Sequence, residues 1–455
     1  MAISRLLIAN RGEIAVRIQR AAKELGIYTI QAHSLADVSS LAVRMADEAV
    51  NIGPPAAAKS YLNAEALLRA ARDSGADAVH PGYGFLSENA DFADAVEAAG
   101  LVFVGPRGAT IRTMGDKAAA RAAAAAADVP VVPGSEGKLE DIAEARRLAE
   151  VVGYPLMIKA AAGGGGRGIR VVESPEALES AFDQAGAEAK AAFGDGALYL
   201  EKFIGRARHI EVQILGDGHD AIHLFERECS LQRRRQKIWE EAPSAALSPQ
   251  ARAKLCESAV ALARSVGYRG AGTLEYLYDE ATAAFYFIEM NTRIQVEHPI
   301  TEMITGVDLV REMLGIAGGA PLSLRQSDIV ARGHAIEARI NAENPDLDFR
   351  PSPGLVSALD VPGGPGVRFD TMLYPGYVIP PFYDSLLGKL IVWDASRPAA
   401  LARMRRALGE LRIEGVSTTT PLHLRLVDAP DVVAGAFHTR WLEQWLAAAK
   451  AENTP

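Results

Sequence analysis

The sequence predicts a protein of mixed α/β and α+β class that is built from more than one domain. Its first part, about 110 residues, alternates apolar strand-like runs with amphipathic helical segments, which is the pattern of βαβ units around a parallel sheet. A glycine-rich loop then follows a short strand, and the C-terminal half contains further strands before a final helical segment. With 455 residues, the chain is long enough for two to four domains with sizeable cores.

The composition is that of an ordinary soluble globular protein, with 49% hydrophobic and 23% charged residues. The net charge of −9 argues against a general nucleic-acid binder, because phosphate contacts need a basic face. Neither a secretory signal nor an apolar run long enough to span a bilayer is present in the sequence, so export and membrane insertion are not supported. Two cysteines, Cys229 and Cys256, lack CxxC spacing, which predicts neither disulfides nor a zinc site and fits a reducing cytoplasm.

The N-terminal domain begins with the predicted strand SRLLIAN, the turn NRGE and the helix EIAVRIQRAAKELG. A dinucleotide-binding turn would carry three glycines in the pattern GxGxxG, whereas this turn offers only Gly12. The turn therefore predicts a strand-to-helix connection without a nucleotide fingerprint. The runs YTIQAH, NAEALLRAARDSG, ADAVHPGYG and LVFVGP continue the same alternation.

The middle of the chain predicts a small α+β unit. An alanine-rich helix in GDKAAARAAAAAADVPVVPG ends before Pro130 and Pro133, and the strand-like runs YPLMIKAA, IRVV and ALYLEKFI follow. The loop KAAAGGGGRG, residues 159 to 168, is not a Walker A loop, which would end in Gly-Lys-Ser/Thr. Its four consecutive glycines let backbone N–H groups approach a polyanion and let the loop close as a lid, although a flexible turn is an alternative interpretation.

The segment EMNTRIQVEH alternates polar and apolar residues from Glu289 to Glu297, which predicts one extended strand with an apolar and a polar face. The preceding run TLEYLYD predicts a hairpin that places Glu275 beside Glu289. In a straight strand Glu289 and Glu297 would lie ~26 Å apart, too far to share one metal ion. Glu297 therefore has a separate role, unless the chain turns before it.

Two sets of residues predict phosphoryl transfer, which needs cations on the phosphates and carboxylates that hold Mg²⁺. Lys117 and Lys159 supply the first set, and Glu275, Glu289 and Asn291 supply the second. Hard oxygen ligands of this kind favour Mg²⁺ or Mn²⁺ over zinc. Each residue alone could form an ordinary salt bridge, and the combination is what indicates a site. The basic run LQRRRQK is followed directly by EEAP, which fits an anion site in a cleft as well as it fits a solvated patch.

Eight segments together resemble the biotin carboxylase family of ATP-grasp enzymes. In chain order they are LIANRGEIAVRI, HPGYGFLSEN, MGDK, KAAAGGGGRG, RHIEVQI, EMNTRIQVEHPITE, HAIEARINAE and FYDSLLGKLIV. The resemblance extends from about Ile3 to about Leu442. It implies an ATP-grasp architecture with a Rossmann-like N-terminal domain, a mobile glycine-rich lid domain and a C-terminal mixed-sheet domain. The implied boundaries are 1–113 for the N-terminal domain, 114–203 for the linker and lid, 204–330 for the catalytic part, 331–447 for the C-terminal domain and 448–455 for a tail.

The same resemblance implies ATP-dependent carboxylation of biotin by bicarbonate. In this family bicarbonate attacks the γ-phosphate to give carboxyphosphate, which releases CO₂, and biotin N1′ loses its proton and takes up the CO₂. The implied cofactors are ATP and Mg²⁺ or Mn²⁺, with biotin as a carrier-bound substrate. The implied partners are a biotin carboxyl carrier protein or domain, the carboxyltransferase of an acyl-CoA carboxylase-type complex of fatty acid metabolism, and a second copy of the chain. Nucleic acid and membrane are not expected as partners, and the expected location is the cytoplasm.

The resemblance also implies roles for individual residues. For the nucleotide they are Lys117, Lys159, Gly163, Gly164, Gly165, Gly166, Gly168, Glu201, Lys202, His209, Gln232 and Arg235. For the metal ion they are Glu275, Glu289 and Asn291, and for bicarbonate they are Arg293, Gln295 and the N–H of Val296. Catalysis is implied for Glu297 as the base that deprotonates bicarbonate, for Arg339 at the biotin enolate, for Lys237 near the reacting anion and for Arg293.

General chemistry supports these roles. Bicarbonate is a poor nucleophile that must lose its proton, so a carboxylate base beside it is useful, and an arginine can hold it with two hydrogen bonds. Carboxyphosphate would hydrolyse in open water, so a closing lid is needed. An enolate-like biotin anion needs fixed positive charge, which an arginine supplies without titrating.

Two residues depart from the family pattern, and two other functions remain open. Arg235 stands where the family commonly has His, and Trp239 stands where it has a smaller aliphatic residue. Arg235 can still bind a ribose or phosphate, but we expect nucleotide affinity or selectivity to differ. The biotinylation motif MKM is absent from the sequence, so we expect biotin to arrive on a separate carrier unless the chain continues. The alternatives are another ATP-grasp ligase with a carboxy- or acyl-phosphate intermediate, and a catalytically silent nucleotide-binding scaffold.

Overall fold

The computed structural model describes residues 3–135, 137–139, 141–160, 169–193 and 196–452. Contacts within the chain define two compact units. The larger comprises the described residues of Met1–Val129, Arg208–Leu277 and Glu289–Pro455, and the smaller comprises those of Pro130–Ala207 and Tyr278–Ile288. Among the described residues, the helices are all too short or too polar to cross a bilayer.

A five-stranded parallel sheet opens the larger unit. Its strands are β1 (Arg5–Ile8), β2 (Tyr28–Ser34), β3 (Glu48–Gly53), β4 (Ala78–His80) and β5 (Val102–Phe103). The helices around it are α1 (Gly12–Glu24), α2 (Leu41–Met45), α3 (Ala64–Asp73), α4 (Ala90–Ala98), α5 (Gly108–Gly115) and α6 (Lys117–Ala126). The strand order β3-β2-β1-β4-β5 confirms the predicted βαβ units. Because the order reverses at β1, a crevice forms beyond the carboxyl ends of β1 and β4.

Helix α1 shows how the sequence forms these units. Gly12 has a φ of +71°, a left-handed conformation that glycine adopts without strain, and it connects β1 to the helix. Ile14, Ile18 and Ala22 recur every four residues and pack into the core. The turn NRGE is therefore a strand-to-helix connection, as predicted.

The smaller unit is an antiparallel sheet of three strands that packs against two helices. The strands are β6 (Leu156–Ala160), β7 (Ile169–Val172) and β8 (Leu198–Lys202), and the helices are α7 (Ile142–Val152) and α8 (Pro175–Phe193). Leu156, Ile158 and Ala160 alternate along β6 and pack into the core that the helices cover, which leaves Lys159 on the other face. The predicted glycine loop, Gly163 to Gly168, lies outside the described residues.

A second sheet, with eight strands, carries most of the predicted site residues. Its strands are β9 (Ala207–Asp217), β10 (Ala221–Arg233), β11 (Gln236–Ala242), β12 (Arg269–Asp279), β13 (Ala284–Asn291), β14 (His334–Asn341), β19 (Val367–Thr371) and β21 (Leu386–Asp394). The order is β13-β12-β9-β10-β11-β14-β21-β19. Antiparallel ladders join six of these strands in the order β9, β10, β11, β14, β21 and β19. We expected a mixed sheet in the C-terminal domain, and the strands that it contributes here are antiparallel.

Short strands and helices complete the C-terminal part of the larger unit. The strands are β15 (Glu343–Asn344), β16 (Arg350–Pro351), β17 (Gly354–Leu355), β18 (Ala358–Asp360), β20 (Val378–Ile379) and β22 (Arg412–Glu414). The helices are α9 (Pro249–Ser265), α10 (His298–Thr305), α11 (Leu309–Ala317), α12 (Arg397–Glu410), α13 (Thr420–Leu426), α14 (Pro430–Ala434) and α15 (Trp441–Glu452). Leu401, Met404 and Leu408 of α12 share one apolar core with Trp239, which stacks on His423. Trp239 is therefore a core residue.

Candidate active site

A cavity of about 600 Å³ lies in the larger unit, where the crevice of the parallel sheet meets the ends of several strands of the eight-stranded sheet. Asn10 and Tyr83 line it from the loops after β1 and β4. Eleven of the sequence-predicted site residues line the same cavity: His209, Gln232, Arg235, Lys237, Glu275, Glu289, Asn291, Arg293, Gln295, Val296 and Arg339. A volume of this size is typical of a small-molecule or cofactor site.

The strand predicted from Glu289 to Glu297 ends early. Strand β13 stops at Asn291, an irregular loop follows, and helix α10 begins at His298. The expectation of one straight strand is therefore wrong, and so is the separation of ~26 Å that rested on it. The hairpin of β12 and β13 is present, and these strands are neighbours in the sheet. Pro299 in the first turn of α10 favours the change from extended chain to helix.

Lys237 connects three carboxylates at the end of the cavity. Its Nζ lies 2.5 Å from Glu211 Oε2, 2.8 Å from Glu275 Oε1 and 2.8 Å from Glu297 Oε1. The three N–H groups of an ammonium are thus matched by three acceptors. Burial lowers the pKa of Lys237, but the three carboxylates outweigh it and hold the pKa well above its ordinary value. Lys237 therefore carries its positive charge at neutral pH.

Glu211 was not predicted as a site residue, although it lies in the quoted segment RHIEVQI. Its other oxygen accepts a hydrogen bond of 2.5 Å from Arg227 Nε. Arg227 is fully buried and also donates to Gln213, Thr273 and Thr301. The signal in the sequence is the alternation of the polar residues His209, Glu211 and Gln213 with apolar residues, which places the three polar side chains on one face of the strand.

Glu297 is fully buried and is held by two cations. Besides Lys237, Arg339 Nη2 donates to its Oε2 at 3.0 Å. Burial raises the pKa of Glu297, but the charges of Lys237, Arg339 and Arg227 outweigh it and hold the pKa well below its ordinary value. The carboxylate is therefore ionised at neutral pH, which is the state that a proton acceptor requires. The buried thiol of Cys229 lies 3.9 Å away, and Cys256 is also buried and unpaired.

Arg339 lies between Glu297 and a second buried acid, Glu240. Arg339 Nε donates to Glu240 Oε1 at 2.5 Å, and Glu240 stands directly opposite Glu337 in the β11–β14 ladder. Burial raises the pKa of Glu240 to about 7, against the opposing charge of Arg339. Burial also raises the pKa of Glu337 well above its ordinary value. Two carboxyl groups placed opposite each other away from water disfavour double ionisation. Neither acid was predicted from the sequence.

The loop after β13 gathers the residues predicted for bicarbonate. Arg293 Nη1 donates to Gln295 Oε1 at 2.8 Å, and its Nη2 donates to Asn291 Oδ1 at 3.1 Å. Arg293 Nε donates to Glu88 Oε2 at 2.9 Å, and Glu88 also accepts from the backbone N–H of Thr292. Glu88 was not assigned a role from the sequence, although it belongs to the segment HPGYGFLSEN. All three nitrogen atoms of the guanidinium are therefore hydrogen-bonded, which fixes its position.

The residues predicted for the metal ion form a cluster of hard oxygen atoms. Asn291 Nδ2 donates to Glu275 Oε1 at 2.9 Å. Burial raises the pKa of Glu275, but Lys237 and His209 outweigh it and bring the pKa well below its ordinary value. Partial burial and the charge of Glu275 raise the pKa of Glu289. A bound divalent cation would oppose both effects and stabilise the ionised carboxylate. His209, Glu211 and Glu275 also offer three ligand atoms within 4.8 Å of one another. The donor set fits Mg²⁺ or Mn²⁺.

The remaining nucleotide positions are divided between the two units. Lys117 is exposed in the first turn of α6 in the larger unit. In the smaller unit, Lys159 forms an ion pair with Glu201 on the neighbouring strand. Lys202 Nζ donates to the carbonyl oxygens of Gly153 and Tyr154, both at 2.9 Å.

The β10–β11 hairpin brings two more predicted residues to the cavity. Gln232 donates to the carbonyl oxygen of Cys229 at 2.8 Å. Arg234 and Arg235 form the two-residue turn, and both have positive φ, +49° and +66°. Side chains other than glycine and asparagine are conformationally strained in such a turn. Arg235 is exposed at the cavity and, within the described part of the chain, makes no ion pair or hydrogen bond, so it is available to a ligand.

Comparisons with known proteins cover almost the whole chain. The family model "Biotin carboxylase, N-terminal domain" matches residues 2–111. The model "Carbamoyl-phosphate synthase L chain, ATP binding domain" matches residues 116–325. The model "Biotin carboxylase C-terminal domain" matches residues 337–444.

Individual relatives agree with the family models. The biotin carboxylase of Nostoc sp. is 54% identical over 445 residues, which cover 98% of this chain and 99% of the relative. One pyruvate carboxylase subunit from Methanothermobacter thermautotrophicus is 48% identical over 450 residues, or 99% and 91% of the two chains. Among solved structures, the biotin carboxylase domain of the 2-oxoglutarate carboxylase of Hydrogenobacter thermophilus has a TM-score of 0.87 and 48% identity, with 98% of each chain covered. That structure is a dimer in complex with MgADP, ADP and bicarbonate.

Proposed function

The chain belongs to the biotin carboxylase family, and from this premise we propose how its residues share the ATP-dependent carboxylation of biotin by bicarbonate. The observation that carries the proposal is the junction at Glu297. This buried carboxylate is held between Lys237 and Arg339, beside the loop that carries Arg293 and Gln295. The anion-binding loop and the cations Lys237 and Arg339 line one cavity, and the buried base Glu297 lies directly behind them.

The first step is the activation of bicarbonate. Arg293, Gln295 and the N–H of Val296 bind the anion, and Glu297 accepts its proton. The carbonate oxygen then attacks the γ-phosphorus of ATP, ADP leaves, and carboxyphosphate forms. Support comes from the guanidinium of Arg293, which is oriented by Glu88 and Gln295, and from the ionised state of Glu297. Lys237 remains charged beside the reacting anion throughout.

The nucleotide and its metal ion occupy the remaining positions. We assign Glu275, Glu289 and Asn291 to Mg²⁺ or Mn²⁺, which neutralises phosphate charge when bound. The phosphates and adenosine are assigned to the larger set predicted from the sequence: Lys117, Lys159, Gly163, Gly164, Gly165, Gly166, Gly168, Glu201, Lys202, His209, Gln232 and Arg235. Arg235 supports this assignment, because it lines the cavity and has a positive φ. Glycine or asparagine would form the same hairpin turn with less strain, so the arginine side chain itself is the feature that needs a function.

The second step carboxylates biotin. Carboxyphosphate breaks down to CO₂ and phosphate, the released phosphate accepts the proton of biotin N1′, and the nitrogen attacks CO₂. We assign Arg339 to the enolate-like anion of biotin, because its guanidinium is fixed by Glu240 and Glu297 at the wall of the cavity. A cation held in place before the reaction stabilises developing charge without reorganisation.

The partners follow from the same family. We propose that biotin arrives on a separate carrier protein or domain and that a carboxyltransferase takes the carboxyl group from it. An acyl-CoA is the first candidate acceptor, and the relationship to a pyruvate carboxylase makes pyruvate the second. We also propose a homodimer, as in the Hydrogenobacter domain, and a cytoplasmic location. The domain boundaries predicted from the sequence, 1–113, 114–203, 204–330 and 331–447 with a tail at 448–455, are retained as part of the proposal.

The function is tested with the purified chain and free biotin as the acceptor. We expect ATP cleavage that depends on bicarbonate and rises with biotin, together with carboxybiotin formed from labelled bicarbonate. A catalytically silent scaffold would bind nucleotide without turnover. ATP cleavage that is indifferent to both bicarbonate and biotin would overturn the proposal and favour a different ATP-grasp ligase.

A further inference from the structure

The backbone amide of Val296 is oriented by groups that lie outside the cavity. In a trans peptide the carbonyl of one residue and the N–H of the next point in opposite directions within one plane. The bond between Gln295 and Val296 is trans, so whatever holds the Gln295 carbonyl also aims the Val296 N–H. His298 holds this carbonyl: its ring Nδ1 lies 2.8 Å from the oxygen, and its backbone N lies 3.4 Å away.

The ring of His298 can act only as a donor here. A carbonyl oxygen has no hydrogen to give, so Nδ1 carries the proton of this hydrogen bond. Burial lowers the pKa of His298 well below its ordinary value, and the charges of Lys389, Arg17 and Arg368 act in the same direction. The imidazole is therefore neutral, with its single proton on Nδ1, and the contact does not switch off with pH. Within the described part of the chain, Nε2 makes no hydrogen bond, which agrees with this tautomer.

The next peptide group of the loop is held as firmly. Lys389 Nζ donates to the Val296 carbonyl at 2.7 Å, and its charge is paired with Glu13 at 3.1 Å. The side chain of Lys389 is fully buried, so it has no exposed alternative. Two consecutive carbonyls are thus bound by buried donors behind the loop. The N–H between them has no hydrogen-bond partner among the described residues, and Val296 lines the cavity.

We propose that His298 is a positioning residue for bicarbonate: it fixes the peptide between Gln295 and Val296 so that this N–H points at the anion. The inference rests on the proposed function, because it takes the Val296 amide as a bicarbonate ligand. His298 itself is not among the described residues that line the cavity, so we assign it no direct contact with the anion. An N–H fixed before binding costs the anion no reorganisation of the loop, whereas a peptide free to rotate would present its carbonyl dipole for part of the time.

Two substitutions separate positioning from packing. In His298→Asn the amide nitrogen comes close to the place of Nδ1 and preserves the donor, whereas in His298→Gln the longer side chain carries its nitrogen to the place of Nε2. We expect His298→Gln to raise the KM for bicarbonate about tenfold and to leave the KM for MgATP within twofold of the unchanged protein. We expect His298→Asn to stay within about threefold for both constants.

The readout is bicarbonate-dependent ATP cleavage in the presence of free biotin, with thermal unfolding of each variant as a check on folding. If His298→Gln does not fold, His298→Ala takes its place, since it removes the donor without adding atoms. Equal KM values for bicarbonate in the Asn and Gln variants would overturn the inference, as would a parallel rise in the KM for MgATP. An unchanged protein that shows no bicarbonate dependence at all would instead overturn the proposed function.

Discussion

The two large sheets of this chain differ in how many charged side chains their strands bury. In the parallel sheet, strands β1 to β5 bury no Asp, Glu, Lys or Arg side chain, and their core is apolar. The strands of the eight-stranded sheet bury many: Arg208, Glu211, Glu226, Arg227, Glu228, Glu240, Glu241, Glu275, Glu337, Asp370 and Lys389. The buried charges of the eight-stranded sheet lie in the same unit as the parallel sheet, so we attribute the difference to the roles of the two sheets.

The difference indicates that the eight-stranded sheet is less stable than an apolar sheet would be, because it carries buried charges that the reaction uses. Moving an ion out of water costs several kcal/mol, and a buried pair regains this only with good geometry and further hydrogen bonds. Such groups are therefore poor choices for holding a sheet together. Five of them lie around Lys237, Glu297 and Arg339, where fixed charge is useful to the reaction: Glu211, Arg227, Glu240, Glu275 and Glu337. The parallel sheet supplies a stable frame, and the eight-stranded sheet supplies the electrostatic site.

The largest effect that this comparison predicts is the loss of the base. Glu297→Gln keeps the shape and removes the proton acceptor, so we expect biotin carboxylation to fall about 10³-fold. The KM for MgATP should change by less than about twofold. Steady-state rates with free biotin and equilibrium binding of MgATP measure the two quantities. Glu241→Gln is the matched control, because Glu241 is a similarly buried acid of the eight-stranded sheet that pairs with Arg397 and His334 and does not line the cavity. Parallel loss of MgATP affinity in Glu297→Gln would contradict the division of roles along the loop.

A substitution in the core of the parallel sheet should lower the stability of the protein and leave its catalytic constants nearly unchanged. Ile30 is fully buried in the apolar core of the parallel sheet. We expect Ile30→Ala to lower the free energy of unfolding by about 3 kcal/mol, because it leaves a cavity. The KM values and kcat of the folded protein should stay within about twofold. Denaturant unfolding and steady-state kinetics on the same preparation test this. A loss of kcat comparable to that of Glu297→Gln would show that the two sheets do not divide their roles as stated.

A third change separates the two chemical steps at the same junction. We expect Arg339→Ala to lower biotin carboxylation about 100-fold, because it removes the cation at the biotin enolate. Biotin-independent ATP cleavage should fall by no more than a few-fold, since the bicarbonate loop and Glu297 remain. The ratio of the two rates is the measurement, with Arg339→Lys as the variant that keeps charge without the fork. Equal losses in both rates would contradict the assignment of Arg339 to biotin.

Sequence reasoning reached the local features of both sheets and missed the long-range ones. The βαβ alternation and the hairpin of Glu275 and Glu289 are encoded by neighbours in the chain, and both are present. The end of β13 at Asn291 was missed because apolar and polar residue types continue to alternate as far as Glu297, although the chain is no longer extended. Burial does not follow this alternation, since Gln295 and Glu297 are buried as well as Thr292 and Ile294.

The partners of the site residues were the other omission. Glu88 binds Arg293 across 205 positions of the chain, and Glu240 binds Arg339 across 99. No local pattern signals such pairs, since each acid reads alone as an ordinary polar residue. Glu211 does have a local signal, because it lies at period two between His209 and Gln213 in β9. The roles assigned to the site residues themselves remain predictions, and the glycine loop lies outside the described residues.

The smallest predicted effect is a pH dependence that comes from one buried acid of the eight-stranded sheet, Glu240. Glu240 faces Arg339, Glu297, Lys237, Glu337 and Cys229, and burial raises its pKa to about 7. Below this pH Glu240 is neutral, so the charge of Arg339 acts on Glu297 alone and weakens it as a base. Above this pH Glu240 is ionised and shares Arg339. The kcat/KM for bicarbonate should therefore rise about threefold between pH 6 and pH 8 from this source.

Glu240→Gln fixes the neutral form and should keep the lower value throughout. Because the supply of bicarbonate also varies with pH, the informative quantity is the ratio of the variant to the unchanged protein, in which that variation cancels. We expect this ratio to fall from about one at pH 6 to about one third at pH 8, while the ratio for Glu241→Gln stays flat. A flat ratio for Glu240→Gln would mean that Glu240 only holds Arg339 in place. The charge of Glu240 would then have a structural role only, and the buried charges of the eight-stranded sheet would contribute less to the reaction than we propose.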